Sequence, residues 1–297
     1  MAPIDPSEAL LLAVNVPETL GALSIGALVS ILFFGICTLQ MYMYFLTFPA
    51  DRLYYKTLVG FIWQVLLGEL AHSICVCYFM YNWTIVQYGN PISLIGRPPA
   101  ALTATILIGA FVGPPTQIFF AERVRLVSEG RLLVPLICWS ASLTLFGMEI
   151  FLYVQGERSV SLADFQSKWR WIITAILALS TAVDVLEALS LCYYLERLRR
   201  LSMGRTAVNI HTIMRLTMGK KIGSVKFSML LCFLFMPHNF VWLAIYICLT
   251  RFHSNSLLAS LNSRAVLRQF NIKAAAQTSP PGSTEALTRF TDPVFSV

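Results

Sequence analysis

The sequence predicts an all-α integral membrane protein, a bundle of seven transmembrane helices with its N-terminus outside and its C-terminus in the cytoplasm. Residues 19–48 contain no charged side chain, and such a run is longer than a helix needs to cross the hydrocarbon core of a bilayer. Of the 297 residues, 57% are hydrophobic and only 12% are charged, whereas roughly a quarter of the residues in soluble domains are charged. Further apolar blocks follow, separated by short basic segments.

The charge and cysteine patterns further restrict the kind of membrane protein that the sequence predicts. The formal net charge is +7, but the basic residues lie between apolar blocks, as in cytoplasmic loops that face anionic lipid. We therefore expect the lipid bilayer as a partner and no nucleic acid. All seven cysteines lie inside apolar blocks, so we expect no structural disulfide. The first seventeen residues contain no Lys or Arg and thus lack the basic start of a cleaved signal peptide.

The predicted transmembrane domain, residues 19–262, consists of apolar blocks bounded by charged or turn-forming residues. An extracellular segment, residues 1–18, precedes it. A disordered cytoplasmic tail, residues 263–297, follows, because the end of the chain is rich in Ser, Thr and Pro. The seven predicted helices cover approximately residues 19–48, 57–80, 100–121, 132–154, 171–195, 217–236 and 238–256.

Two of these blocks contain residues that shape helix packing. In the first block Ala22, Gly26 and Ser30 recur at every fourth position, a stripe of small residues that allows another helix to approach closely. The third block contains Pro114 and Pro115. Because proline removes a backbone hydrogen bond from a helix, this pair should kink the third helix at mid-depth.

The remaining blocks are defined by their boundaries. The second ends in a loop that contains Gly89-Asn90-Pro91, a strong turn signal. The fourth is apolar except near Glu149, and the fifth ends in the charged run at 196–200. The sixth is the least apolar because it contains three lysines, and the seventh carries Arg251 near its end.

The distribution of Lys and Arg orients the bundle. Loops two, four and six contain four basic residues, against ten in loops one, three and five, so the odd loops should be cytoplasmic. Asn82-Trp83-Thr84, a candidate glycosylation site at Asn82, falls in loop two on the predicted outer side. The ten basic residues of the odd loops are Arg52, Lys56, Arg123, Arg125, Arg131, Arg197, Arg199, Arg200, Arg205 and Arg215.

Several segments resemble a known family. They are Thr19–Leu23, Tyr88–Pro91, Asp184 with Leu191–Leu195, and above all the closing motif Ser254–Arg264. Together they resemble the fungal seven-helix membrane family named domain of unknown function 6534, over about residues 19–264. The resemblance implies a fungal integral membrane protein without an assigned chemistry.

The chain departs from that family in two helices. The second helix of the family usually carries an Asp and a His soon after a Trp, whereas here Glu69 and His72 follow Trp63 at a greater distance. The sixth helix of the family is apolar, whereas this chain has lysines there. If members of the family share a polar site in these two helices, its residues differ in this chain.

Five ionisable residues lie inside the predicted spans. An ionisable group at mid-bilayer costs a few kcal/mol unless it meets a partner or water, so such groups mark either structural pairs or functional sites. Glu69 and His72 share one helix face, as do Asp184 and Glu187, and Lys226 can pair with one of these carboxylates. We favour a structural polar lock between helices two, five and six. A ligand or ion site is the alternative.

The remaining motifs lie at the ends of the predicted helices. Ser202 follows two arginines and resembles a phosphorylation site of a basophilic kinase, although the positive-inside rule alone explains the arginines. Glu122 and Arg123 at the inner end of helix three are typical of interfacial charges.

The chain contains no His-Glu-x-x-His motif, no Gly-x-Ser-x-Gly motif and no phosphate-binding loop.

We therefore predict no catalytic activity, no cofactor and no metal. The expected function is that of a receptor-like or sensor-like protein of the plasma membrane or another secretory-pathway membrane. A small-molecule ligand would bind between helices two, three, five and six, and the cytoplasmic partner is not identifiable. The alternative is a transporter or an ion or proton pathway that uses Glu69, Asp184 and Lys226. A membrane-embedded zinc hydrolase ranks below both, because only four histidines are present and they divide between the two sides.

Overall fold

The computed structural model describes residues 17–47, 54–94, 96–128, 130–201, 224–236 and 239–278, and all regular structure in these ranges is helical. Single helical turns, Pro17–Gly21 and Asn82–Val86, precede the first long helix and follow the second. Short helices at Pro91–Leu94 and Leu162–Lys168 lie in loops. The main helices are α1 (Ala22–Thr47), α2 (Tyr54–Tyr81), α3 (Ala100–Val127), α4 (Leu133–Arg158), α5 (Arg170–Leu201), α6 (Ser224–Phe235) and α7 (Val241–Thr278).

Five helical stretches among the described residues are long and apolar enough to cross a membrane. Their outward faces carry large apolar side chains, for example Leu28, Leu67 and Leu143, which are 69%, 59% and 67% exposed. Such faces are unfavourable in water but suit lipid, so the protein is embedded in a membrane. The five stretches are Glu18–Thr47, Phe61–Val86, Ala100–Val127, Leu133–Arg158 and Arg170–Arg197.

Helices α6 and α7 differ from these five stretches. The described part of α6 is a short apolar helix, and the rest of the predicted sixth span lies outside the described residues. Helix α7 is 38 residues long, but polar and charged side chains interrupt its apolar character. Within the described ranges hydropathy therefore supports five spans, and the predicted total of seven remains a prediction.

The predicted end of the last helix was wrong. Helix α7 continues to Thr278, whereas the apolar pattern predicted an end near 256 and a disordered tail over residues 263–297. Residues 264–277 are rich in Ala, Leu, Arg, Gln and Lys, which are strong helix formers that need no apolar environment. The helix therefore extends beyond the apolar block. The predicted tail beyond 278 lies outside the described residues.

Helix α3 also runs past its predicted end near 121, to Val127. Its last turns contain an ion pair between Arg125 and Glu122, with 2.5 Å between Nη2 and Oε1, and charged pairs three residues apart support a helix in water. Hydropathy marks only the apolar part of a helix, which is why the charged last turn was not predicted.

The proline pair lies inside α3, which continues without interruption from Ala100 to Val127. Proline has no N–H, so Pro115 leaves the carbonyl of Phe111, four residues earlier, without its usual donor. Gln64 of α2 donates from Nε2 to this carbonyl at 3.1 Å. The freed acceptor is thus satisfied by a neighbouring helix, as membrane-embedded backbone requires. The predicted kink at Pro114 and Pro115 is a change in the direction of the helix axis, and it remains a prediction.

Helices α1 and α7 approach each other closely. A Cβ atom on Gly26 would lie 2.8 Å from the carbonyl oxygen of Ala244, so only glycine fits there. Ser30 donates to the carbonyl of Ile247 at 3.3 Å, and the thiol of Cys248 donates to the Gly26 carbonyl at 3.3 Å. The small-residue stripe of the first helix therefore does what its spacing predicts, and its partner is α7.

Apolar side chains fill the bundle around this contact. One buried cluster joins the second half of α1, the first half of α2 and the middle of α7, and a larger one fills the opposite end. The polar residues described next occupy the levels between these clusters. The buried members of the first cluster are Cys37, Met41, Tyr44, Ile62, Val65, Leu257, Leu258 and Leu261.

Candidate functional site

Two buried ion pairs occupy the centre of the bundle. Arg251 of α7 contacts Glu69 of α2, and both side chains are fully buried. Lys226 of α6 lies 2.6 Å from Oδ2 of Asp184 on α5, with side-chain exposures of 0% and 8%. Because both pairs are buried, their charges must be compensated by the groups around them.

Every hydrogen-bond donor of Arg251 has a partner. Nε donates to the hydroxyl of Ser30 at 3.0 Å. Nη1 donates to the backbone carbonyl of Glu69 at 2.8 Å and also contacts its carboxylate. Nη2 reaches Nδ1 of His72 at 3.1 Å and the hydroxyl of Ser73 at 2.9 Å. A guanidinium has five N–H groups, so this site is saturated.

The surroundings of Glu69 and His72 complete this arrangement. We call Ser30, Glu69, His72, Ser73, Arg251 and Ser254 the arginine lock. The other carboxylate oxygen of Glu69 accepts from the Ser254 hydroxyl at 2.5 Å, and the ring of Phe34 lies 5.3 Å from the guanidinium carbon of Arg251. Because a guanidinium only donates, His72 must accept at Nδ1 and carry its proton on Nε2. Nε2 has no hydrogen-bond partner in the described part of the chain.

The second pair belongs to a network that joins four helices. Gln117 of α3 donates from Nε2 to Oδ1 of Asp184 at 2.7 Å. Lys226 donates to the hydroxyl of Ser180 at 2.5 Å. Ser142 of α4 donates to Oε1 of Gln117 at 3.4 Å. We call Gln117, Ser142, Ser180, Asp184 and Lys226 the lysine network.

Acceptors without donors surround the lysine network. Nδ1 of His253 lies 3.0 Å from the carbonyl of Leu249. A carbonyl only accepts, so Nδ1 donates and Nε2 of the neutral ring carries a lone pair. That lone pair lies 3.8 Å from Oδ2 of Asp184, another acceptor. Within the described ranges Nε2 of His253, Oε1 of Glu187 and Oε2 of Glu149 are buried without a hydrogen-bond partner.

The five predicted residues therefore divide into two groups. Glu69 and His72 meet Arg251, whereas Asp184 meets Lys226 and lies one helical turn from Glu187. The predicted lock between helices two, five and six does not form as one unit, because the partner of helix two is α7. Both groups meet α7, which carries Arg251 and His253.

Arg251, Gln117 and His253 were not among the site residues predicted from the sequence. A signal was present, since an arginine inside an apolar block needs a buried partner just as a carboxylate does. Its place near the predicted end of the seventh helix suggested an interfacial residue instead, because that helix was ended too early. Gln117 carries no charge and gave no comparable signal.

The other predicted sites are peripheral. Asn82 is half-buried in the turn that follows α2, and its glycosylation remains a prediction. Ser202 lies outside the described residues. Glu122 pairs with Arg125, while Arg123 donates to the hydroxyl of Ser260 on α7. Among the described residues no group of three His, Cys, Asp or Glu side chains is placed to hold a metal ion.

Part of the family resemblance is confirmed. Residues 180–266 match the family of unknown function DUF6534. This segment runs from α5 into α7, and it includes Asp184, Lys226, Arg251 and His253. Comparisons with curated proteins and with solved structures give no match.

The closing motif of the DUF6534 segment, Ser254–Arg264, has an evident packing role. Its polar side chains leave α7 in different directions and bind other helices, while three of its leucines enter the apolar cluster that includes Leu257. The polar contacts are Ser254 to Glu69, Asn255 to the Phe33 carbonyl at 3.1 Å, Arg123 to Ser260, and Asn262 to the Gln40 carbonyl at 2.7 Å.

Proposed function

We propose that the protein is a seven-span integral membrane protein that acts as a receptor or sensor without catalytic activity. Its N-terminus lies outside, its C-terminus lies in the cytoplasm, and its membrane is the plasma membrane or another membrane of the secretory pathway. A small molecule binds between α3, α4, α5, α6 and α7, at the lysine network. We also propose a fungal origin, which the resemblance to the DUF6534 family supports.

The contrast between the two buried sites carries this proposal. In the arginine lock all five donors of the central cation are used, as expected of a structural element, and Nε2 of His72 is the unpaired donor already described. Around the lysine network, buried atoms of Glu149, Glu187, Thr250 and His253 have no hydrogen-bond partner within the described ranges. Buried polar atoms are nearly always satisfied in folded proteins, and those that are not indicate a missing water, ion or ligand.

The length and burial of α7 support the seven-span arrangement. At 1.5 Å per residue a helix of 38 residues extends about 57 Å, well beyond the thickness of a bilayer. Within its predicted span, Arg251 is 0% exposed, and Ser254 is also 0% exposed. These side chains face other helices instead of lipid, so a low hydropathy does not prevent α7 from crossing.

A binding pocket open on one side distinguishes a receptor from a transport pathway. The apolar cluster of Cys37, Met41 and Leu257 lies closer to the predicted cytoplasmic side than the arginine lock does. Every buried member of this cluster is at most 4% exposed. This cluster would block ions and protons between α1, α2 and α7. Glu69, which the transport alternative requires, is bound to Arg251 and Ser254 and not to Asp184 or Lys226 among the described residues.

Cysteine accessibility tests the proposal. We would replace Thr250, which is buried near Gly109 of α3 and lies three residues before His253, with cysteine. The reagent is a membrane-impermeant trimethylammonium methanethiosulfonate, applied to intact cells or to inside-out vesicles, and labelled peptides are identified by mass spectrometry. Leu67→Cys, which faces lipid, is the control and should not react from either side.

The receptor proposal predicts labelling of Thr250→Cys from the outer face only. Labelling from both faces would favour the transport alternative, because a pathway must open to each side. Absence of labelling from both faces, with the variant present at the surface in normal amounts, would contradict a pocket at this position.

A further inference from the structure

The unpaired atoms next to Asp184 are all acceptors. The neutral His253 ring presents a lone pair at Nε2, 3.8 Å from Oδ2 of Asp184. Glu187 lies one turn after Asp184, is 5% exposed, and has no hydrogen-bond partner at Oε1 in the described part of the chain. Lys226 is already engaged by Asp184 and Ser180. Next to Asp184, acceptors are therefore in excess of donors.

The formal charges point the same way. Glu187 interacts electrostatically with both Asp184 and Lys226, so two carboxylates share a region with one ammonium group. Lys226 can neutralise only one of them, and a second buried negative charge requires a compensating positive charge or a proton. A cation that also donates hydrogen bonds would meet both needs.

Apolar and aromatic side chains line the same part of α4 and α5. Cys138 and Val183 are 0% and 3% exposed, and Trp139 and Leu186 pack against them. Val183 and Leu186 of this cluster each directly precede one of the two carboxylates, Asp184 and Glu187, along α5. A ligand with one charged end and an apolar body fits such surroundings.

We propose that this site binds a small protonated amine. The ammonium group donates to Glu187 Oε1 and His253 Nε2 beside Asp184, and the apolar body packs against Cys138 and Val183. This inference rests on the proposed function and adds the chemical class of its ligand. A metal ion is a poorer match, because among the described residues no three His, Cys, Asp or Glu side chains converge as a metal requires.

The test uses the full chain in nanodiscs of phosphatidylcholine, whose headgroup has no N–H donor and cannot imitate the ligand. The probes are butylammonium and phenethylammonium, each compared with the corresponding primary alcohol, and the readout is the midpoint of thermal unfolding. A ligand that binds only the folded state raises this midpoint. We expect at least one ammonium probe to raise it by several degrees, and its alcohol to leave it unchanged.

The variant Glu187→Gln makes the test specific. Glutamine has the same shape, carries no charge and supplies N–H donors of its own. We therefore expect the unliganded variant to unfold at the same midpoint as the natural protein or at a higher one, and to lose the response to the ammonium probe. Glu157→Gln, at the outer end of α4 where Glu157 accepts from Thr103, should keep the response.

Several outcomes would overturn the inference. They are no shift with either ammonium probe, equal shifts with the alcohols, a response that survives in Glu187→Gln, or a Glu187→Gln variant that fails to fold. The last would mean that the carboxylate has a structural partner. If Thr250→Cys is labelled from outside but neither ammonium probe binds, the pocket stands and only its ligand class is wrong.

Discussion

Replacement of Arg251 by methionine should destabilise the protein more than any surface substitution. Methionine keeps much of the side-chain volume but removes all five donors, so Glu69 becomes a buried carboxylate without a cation, and His72, Ser30 and Ser73 lose contacts. Breaking a fully buried ion pair by removal of one partner typically costs about 3–5 kcal/mol. We expect a loss in that range for Arg251→Met.

A double-mutant cycle separates the charge effect from the loss of packing. Addition of Glu69→Gln to Arg251→Met removes the stranded charge, so the double variant should regain stability, with a coupling energy of about 1–3 kcal/mol. Unfolding in detergent micelles, followed by thermal and denaturant titration, measures each variant. Arg125→Met is the matched control, because its pair with Glu122 is about one-third exposed and should contribute no more than about 1 kcal/mol.

Two results would refute this reasoning. One is a cost for Arg251→Met no larger than that of Arg125→Met, which would mean that the guanidinium is not buried in the lock. The other is strict additivity in the cycle with Glu69→Gln, which would mean that the two side chains do not interact.

Two further predictions concern helix packing. Gly26→Ala places a Cβ atom against the backbone of α7 and should destabilise the protein by about 1–3 kcal/mol, whereas Gly35→Ala, with open space around it, should be neutral or stabilising by up to about 1 kcal/mol. Equal effects of the two substitutions in thermal unfolding would contradict the close contact. Gln64→Leu leaves the Phe111 carbonyl without its donor and should cost about 1–3 kcal/mol, and an unchanged unfolding midpoint would show that this hydrogen bond is unimportant.

The sequence was sufficient for the helical class and for the positions of most apolar helices. An uncharged run as long as residues 19–48 is typical of a membrane-spanning helix, and the stripe around Gly26 correctly indicated a close helix contact. Helix ends were less predictable, because α3 and α7 continue into charged sequence where hydropathy carries no signal. Good helix formers after residue 264 would have indicated the longer α7.

The pairing of buried charges could be predicted only in part. Lys226 was expected to meet a carboxylate, and it meets Asp184. Glu69 and Arg251 are separated by 182 positions in the chain, and no local pattern indicates that α2 faces α7. The tautomers of His72 and His253 depend on whether the neighbouring atom donates or accepts, which only the three-dimensional arrangement reveals.

The side from which the lysine network is reached depends on the orientation of the bundle. Epitope tags placed at each terminus, with antibodies applied to intact and to permeabilised cells, test that orientation most directly. Seven crossings with the N-terminus outside predict that the N-terminal tag is stained in intact cells and that the C-terminal tag is stained only after permeabilisation. Staining of both tags in intact cells would contradict an odd number of crossings and with it the proposed receptor arrangement.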